Sequence, residues 1–244
     1  MGEAIAVLSG KGGTGKTSIC AGIATALARE GKRVLCIDCD VGLRNLDISL
    51  GMSDVPSLSF QDICRGGYCL EQLTCHSKFP TLWFLTAPMN ISVEEVDTKA
   101  FGELVYSARE KYDYIFLDAP AGVDAGFRLA AAWADRVLLV TGADPAAVRD
   151  AGRTGQLLEL MDKTNVRLIV NRVAPKLVST MERTVDDVMD DAGLPLIGVV
   201  PEDPSVTLAA AFGKPLLLYT KRGAAAACRR IARRIQGLPV AIEL

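Results

Sequence analysis

The sequence predicts an α/β fold in which a mostly parallel sheet carries helices on both faces. Short apolar, β-branched runs alternate with longer helical patterns, as expected for repeated β-then-α units. The apolar runs lack in–out alternation, which indicates strands that are buried on both faces. The chain has 244 residues without repeats or linkers, so we expect one domain over residues 1–244 that ends in a tail at 237–244.

Seven apolar runs are predicted to be strands because each is short and rich in Val, Ile and Leu. In chain order they are Ala4–Leu8, Arg33–Asp38, Leu82–Thr86, Tyr114–Asp118, Arg136–Thr141, Arg167–Asn171 and Leu196–Val200. The helical patterns lie at Lys16–Glu30, Thr98–Lys111, Pro145–Lys163, Glu182–Asp191, Ser205–Ala211 and Ala224–Gln236. Gly31 suits a helix end and Pro145 a first helical turn. The least regular stretch, Ser53–Pro80, is expected to form surface loops and a short helix.

Composition excludes several classes of function. The only histidine is His76, which excludes His-rich metal centres and disfavours a His-based catalytic triad. The chain has seven cysteines and no recognisable signal peptide, so we expect reduced thiols in the cytoplasm. The spacing of Cys64, Cys69, Cys75 and His76 matches no zinc motif. No apolar run approaches the roughly 18 residues that span a bilayer.

The strongest motif is a phosphate-binding loop between the first predicted strand and the first predicted helix. Its residues fit G-x-x-x-x-G-K-[ST] and are Gly10, Lys11, Gly12, Gly13, Thr14, Gly15, Lys16 and Thr17, with Ser18 directly after them. Glycines let backbone N–H groups approach phosphate oxygens, and the helix that follows points its positive end at the anion. Lys16 supplies a charge to the β and γ phosphates, and the Thr17 hydroxyl is placed to bind Mg²⁺.

Acidic residues end two of the predicted strands. Asp38 and Asp40 follow the second strand, and Asp118 ends the fourth strand in the apolar-then-Asp pattern of a Walker B motif. Ligands of open parallel sheets bind beyond the carboxyl ends of the strands, so these carboxylates should face the phosphates. There they can hold water of an Mg²⁺ shell or orient an attacking water. Alternatively, Asp38 and Asp40 simply cap a strand.

The variant K-G-G-T-G-K-T of the loop, with a second lysine at Lys11, resembles the deviant Walker A motif of the MinD/ParA family of P-loop ATPases. The run Val41–Asp47, which reads V-G-L-R-N-L-D, is similar to the switch I segment of the MinD branch of that family. The run D-A-P-A-G from Asp118 to Gly122 is similar to switch II, with Ala119 in place of Ser. The resemblance covers about Met1 to Gln236.

The resemblance implies roles for individual residues. It implies that Lys11 reaches the phosphates of a partner subunit in an ATP-dependent homodimer. It implies that Asp40 positions the attacking water, with Asp38, Asp118 and Thr17 at the Mg²⁺ site. Asn45 and Gly122 would then lie near the γ-phosphate, while Asn171, Arg172, Pro201 and Asp203 surround the base. Asn171 could instead cap a turn, and Lys11 could point to solvent. Nothing resembles the N-K-x-D motif of GTPases, so ATP is expected rather than GTP.

The same resemblance implies a function and partners. It implies a magnesium-dependent ATPase that dimerises, positions a division inhibitor of the MinC type, responds to a topological regulator and so helps to select the septum site. The alternative is a ParA-like or flagellar-number-regulating ATPase that binds DNA or a partner protein. Family members also reach the inner face of the cell membrane through a basic C-terminal helix. Here the tail 237–244 contains Pro239 and no basic residue, which departs from that pattern. We do not expect nucleic acid as a ligand.

Overall fold

Eight strands form one sheet in the part of the chain that the computed structural model describes, residues 1–174 and 185–243. They are β1 (Glu3–Leu8), β2 (Val34–Asp38), β3 (Cys75–His76), β4 (Phe79–Leu85), β5 (Tyr114–Asp118), β6 (Arg136–Thr141), β7 (Val166–Val173) and β8 (Leu196–Pro201). Their order across the sheet is β3-β4-β2-β5-β1-β6-β7-β8. Only the pairing of β3 with β4 is antiparallel among these strands.

Helices cover both faces of this sheet. They are α1 (Lys16–Arg29), α2 (Leu46–Leu50), α3 (Phe60–Cys64), α4 (Thr98–Lys111), α5 (Ala125–Ala132), α6 (Pro145–Leu160), α7 (Val185–Ala192), α8 (Ser205–Ala211), α9 (Leu216–Tyr219) and α10 (Gly223–Ile235). Short 3₁₀ turns occur at Leu70–Gln72 and Val93–Glu95. Over the described ranges, no helix combines the length and the apolar character needed to cross a bilayer.

Two apolar clusters, one on each face of the sheet, make up the core. The first contains Phe60, Phe101 and Phe127 and joins α3, α4, α5 and α6 to the sheet. The second joins α1, α2 and α10 to the other face, and a Cβ added at Gly22 of α1 would lie 2.6 Å from the Cys228 sulfur of α10. Central strands such as β1 and β2 are buried on both faces, so the predicted sheet with helices on both sides is confirmed.

The predicted elements agree with the structure in the centre of the sheet and differ at its margins. The edge strand β3 was not expected, and α2, α5 and α9 lie where no helix was predicted. The sixth helix of the structure stops at Leu160 rather than Lys163, because Asp162 adopts a positive φ of 58°. The predicted helix Glu182–Asp191 appears as α7, and its first residues lie outside the described ranges.

Candidate nucleotide-binding site

The phosphate loop lies at the centre of the sheet, because β1 runs between β5 and β6 and the loop joins β1 to α1. Gly13 and Gly15 have φ values of 79° and 83°, which L side chains rarely adopt. A Cβ at Gly10 would lie 2.3 Å from the Thr154 hydroxyl oxygen, and one at Gly15 would lie 2.4 Å from Asn171 Nδ2. The loop therefore needs glycine at three positions for conformation and for space.

Lys16 forms a buried ion pair at the start of α1. Its Nζ lies 2.9 Å from Asp118 Oδ1 at the end of β5, and 3.4 Å from the Thr17 hydroxyl. Burial works to lower the pKa of Lys16, but the neighbouring Asp118 carboxylate outweighs it, so this pKa is raised. The ammonium is thus held charged at the mouth of the phosphate loop, where an incoming phosphate would compete with Asp118 for it.

Two hydroxyl groups beside the loop show that the residues present fit a phosphate ligand. The side-chain oxygens of Ser9 and Thr14 are buried and have no hydrogen-bond partner within the described ranges. Buried hydroxyls are normally satisfied, so such groups indicate a missing ligand or water. No three His, Cys, Asp or Glu side chains converge to hold a metal in the described part of the chain. Mg²⁺ at Thr17 would therefore need phosphate oxygens as further ligands.

Asp38 holds the switch I segment in place. One carboxylate oxygen accepts the N–H of Asp40 at 2.9 Å, and the other accepts those of Asn45 and Leu46 at 3.1 Å each. Burial, followed by the nearby Asp118 carboxylate, raises the pKa of Asp38 to about 6. All of these bonds are to backbone, so the structure gives Asp38 a positioning role, and its place at an Mg²⁺ site stays a prediction.

Asp40 is placed differently from Asp38. It is half-buried, and its pKa is raised by burial, an effect that the Lys16 ammonium partly offsets. Asp40 follows β2 at the carboxyl edge of the sheet, the edge from which the phosphate loop leaves β1. A carboxylate there can accept a proton or orient a water molecule.

The switch residues adopt conformations that a γ-phosphate could change. Asn45 is exposed at the N-cap of α2, and Gly122 has a φ of 91° and donates its N–H to Ser9 O at 3.2 Å. For Gly122 to donate to a phosphate, this bond must break. Lys11 is exposed, as is Leu43, whose relative exposure is 72%.

A cavity of about 260 Å³ lies beside the loop, between the start of α1 and the segment after β8. It collects six of the predicted residues, namely Gly15, Ser18, Asn171, Arg172, Pro201 and Asp203. Sequence reasoning missed other lining residues, including Ile19, Glu202, Val206, Leu216 and Cys228. They come from four helices and from the loop after β8 and carry no motif, so only the fold brings them together.

Asn171 and Asp203, the predicted base-reading residues, are already bonded to the protein. Asn171 Nδ2 donates to Thr14 O at 2.7 Å, which uses one of its two N–H groups and leaves the amide oxygen to accept from a ligand. Asp203 accepts the backbone N–H groups of Ser205 at 2.8 Å and Ala224 at 3.0 Å. Partial burial opposes ionisation, but these bonds prevail and lower the pKa of Asp203. Asp203 therefore shapes the cavity wall, and its contact with a base stays a prediction.

Comparison with known proteins supports a nucleotide site. Residues 5–216 match the CobQ/CobB/MinD/ParA nucleotide binding domain. The septum site-determining protein MinD of Synechocystis sp. is 39% identical over 240 residues, covering 97% of this chain and 90% of the relative. The structure of an Aquifex aeolicus MinC:MinD complex aligns with a TM-score of 0.91 at 36% identity, over 99% of this chain and 98% of that one. A MinD structure with Mg-ADP from Pyrococcus horikoshii aligns with a TM-score of 0.84 at 28% identity, covering 96% of each chain.

Proposed function

The chain belongs to the MinD branch of the CobQ/CobB/MinD/ParA family of nucleotide-binding proteins, and we propose that it is an ATPase whose nucleotide-dependent dimer helps to select the division septum. One observation carries this proposal. The buried Lys16–Asp118 pair stands at the carboxyl end of the central strands, directly beside Asp38, since Asp38 and Asp118 are register partners on β2 and β5. The Lys16 ammonium, which would bind phosphate, therefore lies next to both predicted switch segments at the carboxyl edge of the sheet.

The geometry suggests how hydrolysis would proceed. Backbone N–H groups of the loop and Lys16 would bind the phosphates, and Lys16 would exchange Asp118 for a phosphate oxygen. Asp40 would orient water toward the γ-phosphate. Bound Mg²⁺ would neutralise phosphate charge, and Thr17 with Asp118 would hold it. Asp38 would keep Asp40 in position, because it accepts the Asp40 N–H.

The partners follow from the relatives. We propose that a division inhibitor of the MinC type binds the ATP-loaded dimer, as the Aquifex aeolicus complex contains both proteins. A topological regulator and attachment to the inner face of the membrane belong to the same proposal. Close relatives at 39% identity are septum-site proteins, which favours division over partition or flagellar placement.

Phosphate release by an Asp40→Asn variant tests the ATPase. We expect the variant to bind ATP as the parent does, and to release phosphate slower by on the order of 10²–10⁴-fold, because its amide cannot act as a base. The matched control is Asp54→Asn, which changes an exposed aspartate on the loop after α2. Parent-like hydrolysis by Asp40→Asn would refute the role of Asp40. A parent protein that releases no phosphate with Mg²⁺ and a MinC-type partner would refute the ATPase itself.

A further inference from the structure

A second concave site lies at the end of α1 that is remote from the phosphate loop. It is a groove of about 360 Å³ between α1 and α10, here called the basic groove. Its lining residues are Ala26, Arg29, Glu30, Lys221, Arg229 and Arg233. Four basic side chains thus share one groove with a single carboxylate. The groove and the nucleotide cavity share no lining residue, although Cys228 of the cavity and Arg229 of the groove are neighbours on α10.

Glu30, the single carboxylate of the groove, already accepts hydrogen bonds from the protein. Glu30 accepts a hydrogen bond from Arg233 Nε at 3.1 Å and another from Gln236 Nε2 at 2.7 Å. Arg29 and Lys221 form no ion pair with any residue in the described ranges. The net charge of the groove is therefore strongly positive, since only Arg233 is compensated.

Arg229 supplies the second observation. Its Nη2 donates to Lys221 O at 2.5 Å, whereas its Nη1 is buried and has no hydrogen-bond partner among residues 1–174 and 185–243. A buried guanidinium nitrogen without an acceptor is costly, because desolvation is not compensated. Arg229 also lines the groove, so an acceptor that enters the groove would satisfy this nitrogen once the side chain turns toward it.

Helix electrostatics explain only part of this cluster. Arg29 lies in the last turn of α1, where the helix dipole attracts a positive charge. Lys221, in contrast, precedes the N-terminus of α10, where the dipole repels one, and Arg229 lies within α10. The dipole of α10 therefore does not account for the position of Lys221, and it neither favours nor opposes Arg229 in the middle of the helix.

We propose that the basic groove binds a doubly charged phosphate group, either of a free diphosphate or of a phosphomonoester lipid headgroup. A guanidinium group matches phosphate oxygens in geometry and charge, and Arg29, Lys221 and Arg229 line the same groove. A groove of about 360 Å³ suits a compact anion better than the extended backbone of a nucleic acid. The site goes beyond the nucleotide switch and does not depend on it.

Calorimetry with inorganic pyrophosphate tests the proposal on protein that is saturated with ADP. The variants are Arg29→Gln/Arg229→Gln and the single change Lys221→Gln, whose side chain is exposed. The control is Arg65→Gln, an exposed arginine outside the groove. We expect the double variant to bind pyrophosphate weaker by roughly tenfold or more, Lys221→Gln to bind it more weakly than the parent, and the control to match the parent. Binding at the phosphate loop would affect all four proteins alike.

Sedimentation with vesicles distinguishes the source of the phosphate. Vesicles of phosphatidylcholine are compared with and without phosphatidic acid. Groove-dependent binding to phosphatidic acid vesicles supports a lipid headgroup, and groove-dependent binding of pyrophosphate alone supports a free anion. Equal binding by the parent, Lys221→Gln and the control in both assays would overturn the proposal. Groove-dependent binding of short duplex DNA without pyrophosphate or vesicle binding would overturn it too.

Discussion

At the scale of single residues, the Lys16–Asp118 pair has the largest expected effect. Lys16→Ala should abolish ATP binding, since in the described residues no other lysine pairs with the Walker B aspartate. It should also destabilise the fold by about 3 kcal/mol, because Asp118 stays buried without its partner. Equilibrium ATP titration and urea unfolding measure the two effects.

Two further variants of the chain serve as a control and as a rescue in this test. Lys99→Ala, an exposed lysine of α4, should retain both ATP binding and stability. Lys16→Ala/Asp118→Asn should recover part of the lost stability but not ATP binding, because the carboxylate that Lys16→Ala leaves without its partner is removed. Normal ATP turnover by folded Lys16→Ala would disprove the phosphate-loop assignment.

At the scale of elements, the edge strand β3 depends on a neutral histidine. His76 Nδ1 accepts the N–H groups of Lys78 at 2.9 Å and Phe79 at 3.1 Å, so the proton is on Nε2, which donates to Leu50 O at 3.1 Å. Burial lowers the pKa of His76 below its ordinary value of 6.5. The unfolded chain therefore binds this proton at a higher pH than the folded chain, and His76 contributes stability above pH 6.5 that is lost on acidification.

Urea unfolding of the parent and of His76→Gln tests this linkage between about pH 7.5 and about pH 5.5. The parent should lose more stability than the variant on acidification, by up to about 1.4 kcal/mol per pH unit. Asp38 titrates in the same range in the opposite sense, because its pKa is raised to about 6. Its contribution is common to both proteins and cancels in the comparison. Equal pH slopes would contradict a neutral, buried His76.

The start of α10 is a second element with a testable contact. Gly223 has a φ of 53°, and a Cβ there would lie 2.2 Å from Asp203 Oδ2. Gly223→Ala should therefore displace Asp203 and weaken ATP binding several-fold, in addition to the roughly 1 kcal/mol cost of the positive φ. Gly237→Ala is the matched control, since it has a φ of 77° and open space around it. Equal effects of both changes on ATP affinity would show that Asp203 does not shape the cavity.

At the scale of the whole molecule, sequence reasoning worked where local patterns and fold agree. The double burial of β1 and β2 and the glycines of the loop are local signals, so the central sheet and the phosphate loop could be predicted. Helix α2 could not, because it has only five residues and begins where the Asp38 carboxylate accepts the N–H groups of Asn45 and Leu46, a contact that no helix-start motif announces. The wall of the cavity could not be predicted either, because Leu216 and Cys228 belong to no sequence motif and only the fold brings them to the site.

The phosphate loop also predicts an ATP-dependent homodimer. Lys11, Gly12 and Gly13 are exposed, so the outer side of the loop is open to a second subunit. Lys16 already supplies a charge within the chain, which leaves Lys11 free to reach across an interface. Lys11→Ala should then bind nucleotide as a monomer but fail to dimerise.

Sedimentation with Mg²⁺ and a non-hydrolysable ATP analogue separates binding from dimerisation. The parent and Lys78→Ala, an exposed lysine between β3 and β4, should shift to a dimer, whereas Lys11→Ala should not. Nucleotide affinity of Lys11→Ala should stay within a few-fold of the parent, because a single exposed charge contributes less than about 1 kcal/mol to binding in its own subunit. A dimer of Lys11→Ala would refute the role of Lys11 across the interface. A parent that stays monomeric with saturating analogue would refute the nucleotide-dependent dimer, and a non-dimerising ATPase would then describe the protein better.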